Sequence, residues 1–280
     1  MSDAVGGALD AATDALRAAG VEDPRLDAEV LLAEAAGVQR AALVASPEAE
    51  LPPPAGRRFG EMVRRRLRRE PVAYILGRRG FRNLELAVDR RVLVPRPETE
   101  LLVELALERR PRTVLDVGTG SGAIALAVAD ELPGCEVLAT DTSAEALAVA
   151  RANAERLGLA DRTRFLPGSL PDADQVPEGG FDLLLANLPY VAERDWPALQ
   201  PEVTQWEPRE ALRAGPDGLD AYRTLLRSVR STSAEFGAVG LEVGEGQAGA
   251  VAELVRGAGF GSVEVRRDLA GIERLVIGSA

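Results

Sequence analysis

Asn187-Leu188-Pro189-Tyr190 is the stretch of this chain whose residue types are best suited to chemistry. It follows Phe181-Asp182-Leu183-Leu184-Leu185-Ala186, an apolar run that reads as a buried strand. An Asn side chain carries both a donor and an acceptor, so it can hold a planar amide or amino group. Tyr190 can wall the same group with the face of its ring. In open α/β sheets ligands bind at the carboxyl ends of the strands, which is where these residues fall. The local chemistry is presentation of a weakly nucleophilic nitrogen, and the electrophile has to come from elsewhere in the chain.

A second constellation supplies a place for it. Asp116-Val117-Gly118-Thr119-Gly120-Ser121-Gly122 ends one apolar strand and opens the helix Ala123-Ile124-Ala125. Glycines there allow a tight strand-to-helix turn and close approach of a ligand to the backbone. The spacing is G-x-G-x-G, not the G-x-G-x-x-G of dinucleotide sites. Leu138-Ala139-Thr140-Asp141 ends the next strand with an acid, which can accept hydrogen bonds from ribose hydroxyls. Taken alone, the loop could be an ordinary βα turn, and Asp141 could cap the helix after Thr142-Ser143. Together they resemble the S-adenosylmethionine site of class I methyltransferases. That resemblance assigns Asp116, Gly118, Thr119, Gly120, Ser121, Gly122 and Asp141 to the cofactor.

Composition removes other chemistries. The chain has no His and no Lys, and Cys135 is its only cysteine. Ser-His-Asp and Cys-His catalysis, Schiff bases, the P-loop lysine and an intrachain disulfide are excluded, and no metal site is expected. The net charge of −11 argues against stable nucleic-acid binding. Arg57, Arg58, Arg64, Arg65, Arg66, Arg68 and Arg69 run against that charge. They read as a solvated helix face or as a contact for an acidic or RNA-bearing partner. No apolar run is long enough to span a membrane. Met1-Ser2-Asp3-Ala4-Val5 lacks the basic start of a signal peptide, so a cytoplasmic location is expected.

The elements that must position these residues change character along the chain. Residues 1–72 read as a helical domain, with helices ended at Gly20 and Gly37 and a rigid break at Pro52-Pro53-Pro54. Residues 73–97 read as a connector and β-hairpin, with Leu84, Leu86 and Val88 on one strand and Val92-Leu93-Val94 on the other. Residues 98–280 alternate strands with helices. Strands are expected at 113–117, 136–140, 163–166, 181–187, 238–243, 262–267 and 274–277, and helices at 122–131, 143–157, 219–232 and 247–258. Glu98-Thr99-Glu100 is expected to cap a further helix through Leu101, Leu102 and Leu105. Such alternation predicts an α/β fold with a largely parallel sheet covered by helices on both faces.

Several longer stretches resemble the release factor glutamine-N5 methyltransferase family, the HemK-type enzymes. They are Glu70-Pro71-Val72-Ala73-Tyr74-Ile75-Leu76-Gly77, Val94-Pro95-Arg96-Pro97-Glu98-Thr99-Glu100, the glycine loop, Asn187-Leu188-Pro189-Tyr190, and Glu207-Pro208-Arg209 with Asp217-Gly218-Leu219-Asp220. The resemblance covers nearly the whole chain. It implies a Rossmann-like class I methyltransferase domain behind a small all-helical N-terminal domain that contacts the release factor. It implies S-adenosylmethionine as cofactor, and as substrate the Gln of the Gly-Gly-Gln loop of peptide chain release factors. The Asn187 side-chain oxygen and the Leu188 carbonyl would accept the two amide N–H groups, with Pro189 shaping the turn and Tyr190 against the Gln. Arg96 and Glu98 fall near the cofactor or the substrate entrance, and Leu170 could face the adenine. The family motif is Asn-Pro-Pro-Tyr, so Leu188 keeps the carbonyl but not the proline ring. Other readings are methylation of another protein glutamine, such as a ribosomal one, methylation of an exocyclic amine of a nucleic-acid base, or cofactor binding without catalysis. The protein is expected to be a monomer.

Overall fold

The structure is a computed structural model that describes residues 4–280; the start of the chain, read above for a leader, lies partly outside them. The chain runs through α1 (Val5–Ala18), α2 (Pro24–Ala36), α3 (Arg40–Ala45), α4 (Pro53–Leu67) and α5 (Val72–Leu76). A hairpin of β1 (Arg78–Phe81) and β2 (Leu84–Ala87) follows, then α6 (Glu100–Arg109) and β3 (Thr113–Val117). Next come α7 (Ala123–Glu131), β4 (Glu136–Asp141), α8 (Ala144–Leu157), β5 (Thr163–Pro167) and β6 (Leu183–Ala186). The last part holds α9 (Pro201–Trp206), α10 (Asp220–Ser231), β7 (Ala238–Glu242), α11 (Ala248–Gly257), β8 (Ser262–Arg267) and β9 (Glu273–Ser279).

The chain divides into two units. One comprises the residues up to Arg78 together with Gln200–Trp206; the other comprises Arg79–Leu199 and Glu207–Ala280. The helical unit closes its own core from Leu9, Leu16, Leu31, Leu32, Phe59, Met62 and Ile75. Its helices stop where glycine can turn the chain left-handed, at Gly20 (φ 74°) and Gly37 (φ 68°). The short α9, whose Glu202 lies 133 residues beyond Arg69, belongs to this unit although the alternating pattern expected residues 98–280 to stay together. Ion pairs explain why. Glu202 bridges Arg66 at 2.6 Å and Arg69 at 2.5 Å, and the Trp206 indole N–H donates to the Arg68 carbonyl at 3.1 Å.

These pairs also revise both readings of the arginine cluster. Arg58 pairs with Glu34, Arg65 with Glu70, and Arg66 with Asp27 as well as Glu202. Four of the seven arginines hold carboxylates of their own unit, and Arg57, Arg64 and Arg68 lie exposed.

The second unit is a seven-stranded sheet in the order β5-β4-β3-β6-β7-β9-β8. The strands from β5 through β7 are parallel, and β9 and β8 add antiparallel at one edge. The expected largely parallel sheet therefore ends in an antiparallel pair. From β3 the chain steps outward through β4 and β5, then returns to place β6 on the other side of β3. The switch in direction opens a crevice at the carboxyl ends of β3 and β6.

The hairpin differs from its expected position. Its turn lies at Arg82-Asn83, where Arg82 has φ 51°, and Val92-Leu93-Val94 forms no strand. Val92 and Val94 are buried all the same, so their alternation records burial of an extended segment rather than a ladder. Asn153, fully buried on α8, ties this hairpin down. Its amide donates to Ala87 O and Ser121 O, both at 3.0 Å, and its oxygen accepts from Ala87 N at 2.8 Å.

Candidate active site

Register brings the two constellations together. Val117 on β3 pairs with Thr140 on β4 and with Ala186 on β6. The next residue on each strand is therefore Gly118, Asp141 and Asn187, three neighbours at one end of the sheet. The approach is close: a Cβ on Gly118 would stand 3.6 Å from Leu188 Cδ2 and 3.8 Å from the Asn187 carbonyl oxygen.

The glycine loop is held from beneath. The N–H groups of Gly118 and Thr119 donate to Thr140 O at 2.8 and 3.0 Å. The fully buried Asp116 accepts from Thr119 Oγ1 at 2.7 Å and from Ala125 N at 3.2 Å. Burial pushes its carboxyl up to about 7 against these two bonds, which favour the charged form. Its Oδ1 is buried without a partner. Asp141 Oδ2 accepts from Gly120 N at 2.9 Å and Oδ1 from Ser143 N at 2.8 Å. The helix cap itself is Ser143, whose Oγ accepts from Ala146 N. The capping alternative for Asp141 therefore fails, because its carboxylate fastens loop to strand end.

Asn187 donates its Nδ2–H to Thr99 Oγ1 at 3.0 Å, which leaves Oδ1 for another donor. Leu188 is buried in the core cluster that also holds Val117 and Leu138. Tyr190 is half-buried, and burial beside Glu242 pushes its phenol up to about 12. The Tyr190 carbonyl accepts from Gln247 Nε2 at 2.9 Å. Gly218, in the Asp217–Asp220 stretch, lies so close that a Cβ would be 2.4 Å from that carbonyl and 2.5 Å from Gln247 Nε2. Arg96 donates to Glu207 Oε1 at 2.6 Å. Burial raises the Glu207 carboxyl, and Arg96 opposes the rise.

The comparisons with known proteins decide the family. A family model described as "PrmC N-terminal domain" matches residues 7–77, and one described as "Methyltransferase domain" matches residues 114–206. A release factor glutamine methyltransferase of Caulobacter vibrioides is 42% identical over 272 residues, 96% of this chain and 93% of that protein. One of Cereibacter sphaeroides is 45% identical over 269 residues, 96% of each chain. The chain belongs to the release factor glutamine methyltransferase family. It is thus an S-adenosylmethionine-dependent enzyme. The hMettl16 catalytic domain in complex with a MAT2A 3'UTR hairpin matches with a TM-score of 0.57 at 16% identity, covering 69% of this chain and 74% of that one. That likeness shows the Rossmann-like fold.

The residues present fit the cofactor this family uses. Gly118, Gly120 and Gly122 have φ of 77°, 57° and 86°, conformations that disfavour a side chain. The space at Gly120 is open, whereas a Cβ on Gly122 would meet Leu126 Cδ1 at 2.9 Å. Buried Asp116 and the strand-end Asp141 provide acceptors beside that cradle. Leu170 packs partly buried against the core that contains Leu188, and the neighbouring Ser169 carbonyl accepts from Thr140 Oγ1.

Of the residues expected in the site, the structure groups Asp116, Gly118, Thr119, Gly120, Ser121, Gly122, Asp141, Asn187, Leu188, Pro189 and Tyr190 around this strand end. Arg96 is committed to Glu207, and Glu98 lies within electrostatic reach of Tyr190 and Glu242. Gly218, Glu242 and Gln247 were given no role from sequence, and Thr99 only that of a helix cap, a bond its side chain does not make. Glu242 had a signal, an acid inside the apolar run Ala238–Val243.

Proposed function

We propose that this site methylates the side-chain amide nitrogen of the Gly-Gly-Gln glutamine in release factors, with Asn187 and Leu188 holding that amide. The observation that carries the reading is register: the strand ends that bear Gly118, Asp141 and Asn187 are neighbours, so the donor cradle and the amide clamp share one crevice. S-adenosylmethionine, when bound, supplies an electrophilic methyl group on a sulfonium.

The chain's own residues do the rest. A carboxamide nitrogen is a poor nucleophile because its lone pair is delocalised. Asn187 Oδ1 and the Leu188 carbonyl accept its two N–H bonds and leave the remaining direction of the nitrogen aimed at the cradle. As the nitrogen takes the methyl group and the methyl–sulfur bond breaks, positive charge moves onto nitrogen, where these two oxygens stabilise it, and one N–H proton then passes to water to leave the neutral N-methyl amide. Fixing both reactants in line contributes much of the acceleration, on the order of several kcal/mol. Tyr190, held by Gln247 and pressed against Gly218, walls the glutamine side chain. Acceptors and position replace a strong base, consistent with a chain that has no His and no Lys.

We assign the release factor contact to the helical unit, and the cytoplasm as the place of action. Among the described residues no helix is long and apolar enough to cross a membrane. The test is a transfer assay with purified release factor, followed by mass mapping of the methylated residue. Asn187→Ala is expected to lower turnover by at least about 100-fold while S-adenosylhomocysteine binding persists. Near-normal turnover in that variant would remove Asn187 from the clamp, and transfer to a nucleic-acid base instead of the release factor would change the substrate.

A further inference from the structure

Thr99 stands at the N-terminus of α6, where a threonine hydroxyl ordinarily accepts from a backbone N–H of the first turn. It makes no such cap bond. The hydroxyl is buried and accepts instead from Asn187 Nδ2 at 3.0 Å. Its other neighbour is the carboxyl of Glu242, the last residue of β7, whose charged form Thr99 favours. Register explains the meeting. Ala186 pairs with Leu241, so the next step along β6 and β7 sets Asn187 beside Glu242. Glu242 is 3% exposed and its Oε2 has no partner. A buried carboxylate with an unpartnered oxygen is costly and calls for a reason.

Hydrogen-bond polarity supplies one. A hydroxyl has a single proton. If Thr99 gives it to an anionic Glu242, only its lone pairs face Asn187, and only Asn187 Nδ2 can meet them. The Asn187 oxygen is then turned away from Thr99. If Glu242 carries a proton, that proton can be given to Thr99, whose own proton becomes free for Asn187 Oδ1. The amide can then turn over and present Nδ2, a donor, where an acceptor is needed.

We propose that Glu242 and Thr99 are positioning residues that set the polarity of the Asn187 amide, so that Oδ1 faces the substrate nitrogen. The inference rests on the role given to Asn187 above. The groups facing Glu242 are Thr99, Glu98 and Arg96 from the segment before α6, Arg274 from β9, Tyr190 from the loop after β6 and Tyr222 from α10. Tyr222 donates to the Glu242 carbonyl at 2.7 Å, not to its carboxylate. Burial pushes the Glu242 carboxyl up to about 7; Thr99 opposes this, Glu98 adds to it, and Arg274 and Arg96 oppose it. The polarity lock is therefore set above about pH 7 and released below it.

The test measures turnover of the full chain on a release factor at saturating S-adenosylmethionine, from about pH 5.5 to 8.5. Saturation matters because Asp116, also near 7, lies in the cofactor cradle, where its titration acts on cofactor affinity. Wild-type turnover is expected to fall about tenfold per unit below about pH 7. Glu242→Gln keeps the shape of the side chain but offers Thr99 a donor and an acceptor alike. Its turnover is expected to be about 10- to 100-fold lower and level through that range. Thr99→Val, which keeps the shape and removes the hydroxyl, is expected to lose as much, and Thr99→Ser to recover most of it. S-adenosylhomocysteine binding should stay unchanged in all three, which also shows that they fold. A Thr99→Val variant within twofold of wild type, or the same pH step in Glu242→Gln, would overturn the inference. If Asn187→Ala is inactive while Thr99→Val is fully active, only the polarity relay fails. If Asn187→Ala is itself active, the reading of the clamp fails first.

Discussion

Leu188 is the residue at which this chain departs from the Asn-Pro-Pro-Tyr pattern of the family it resembles. A proline there would fix φ through its ring. Leucine reaches the same end by packing: its side chain is buried in the central core, and its Cδ2 stands 3.6 Å from where a Gly118 Cβ would be. The carbonyl proposed to accept a substrate N–H is thus held by the packing of its own side chain. Leu188→Ala should loosen it. We expect about a tenfold loss of turnover and a cost of about 2–3 kcal/mol in unfolding free energy, read by steady-state kinetics and denaturant melts. Unchanged turnover together with the stability loss would show that the carbonyl is held by the backbone alone.

Turns and strand ends, rather than whole elements, set the geometry of the site. Gly218 has φ 79°, and its missing side chain makes room for the Tyr190 carbonyl and for Gln247 Nε2. Gly218→Ala should push Tyr190 from its place. It is expected to lower turnover by tenfold or more, to destabilise the chain by about 2 kcal/mol, and to leave S-adenosylhomocysteine affinity unchanged; a selective loss of cofactor affinity would contradict this account. Much at this scale was readable in advance. β3 spans Thr113–Val117 as expected, because the apolar residues Val114, Leu115 and Val117 lie in a short run bounded by Arg112 and Gly118. The proposed amide clamp could be put forward from sequence because its residue types are unusual at a strand end. Other features depend on partners distant in sequence. Whether Val92–Val94 finds a ladder partner, and whether Thr99 caps its helix or serves Asn187, is decided by tertiary contacts that periodicity does not record. The antiparallel edge was within reach, since the link Asp268–Ile272 is too short for a parallel crossover.

At the scale of the whole molecule the sequence order of the elements and their grouping in space part company at α9. Residues 200–206 interrupt the methyltransferase unit yet are fastened to the helical one through Glu202, whose carboxylate is shared by Arg66 and Arg69. Arg66 is itself buried, with Asp27 as its other carboxylate. Removing one member of a buried ion cluster strands the rest. Glu202→Ala should therefore cost about 3 kcal/mol, and the loss should be local. Burial raises the Glu202 carboxyl, but the hydrogen bonds from Arg69 and Arg66 outweigh it and leave the net shift downward. A carboxyl held below its unfolded value contributes stability above that value and loses it as pH falls through the folded one. In the wild type this contribution should accordingly be present near neutrality and fade in acid below the usual Glu range, whereas Glu202→Gln should lack that acid step. Hydrogen exchange locates the effect: in Glu202→Ala, amides of α1, α2 and α4 should lose protection while those of β3, β6 and β7 keep theirs. Faster exchange in the central strands, with α1, α2 and α4 unchanged, would mean that α9 serves the catalytic unit instead.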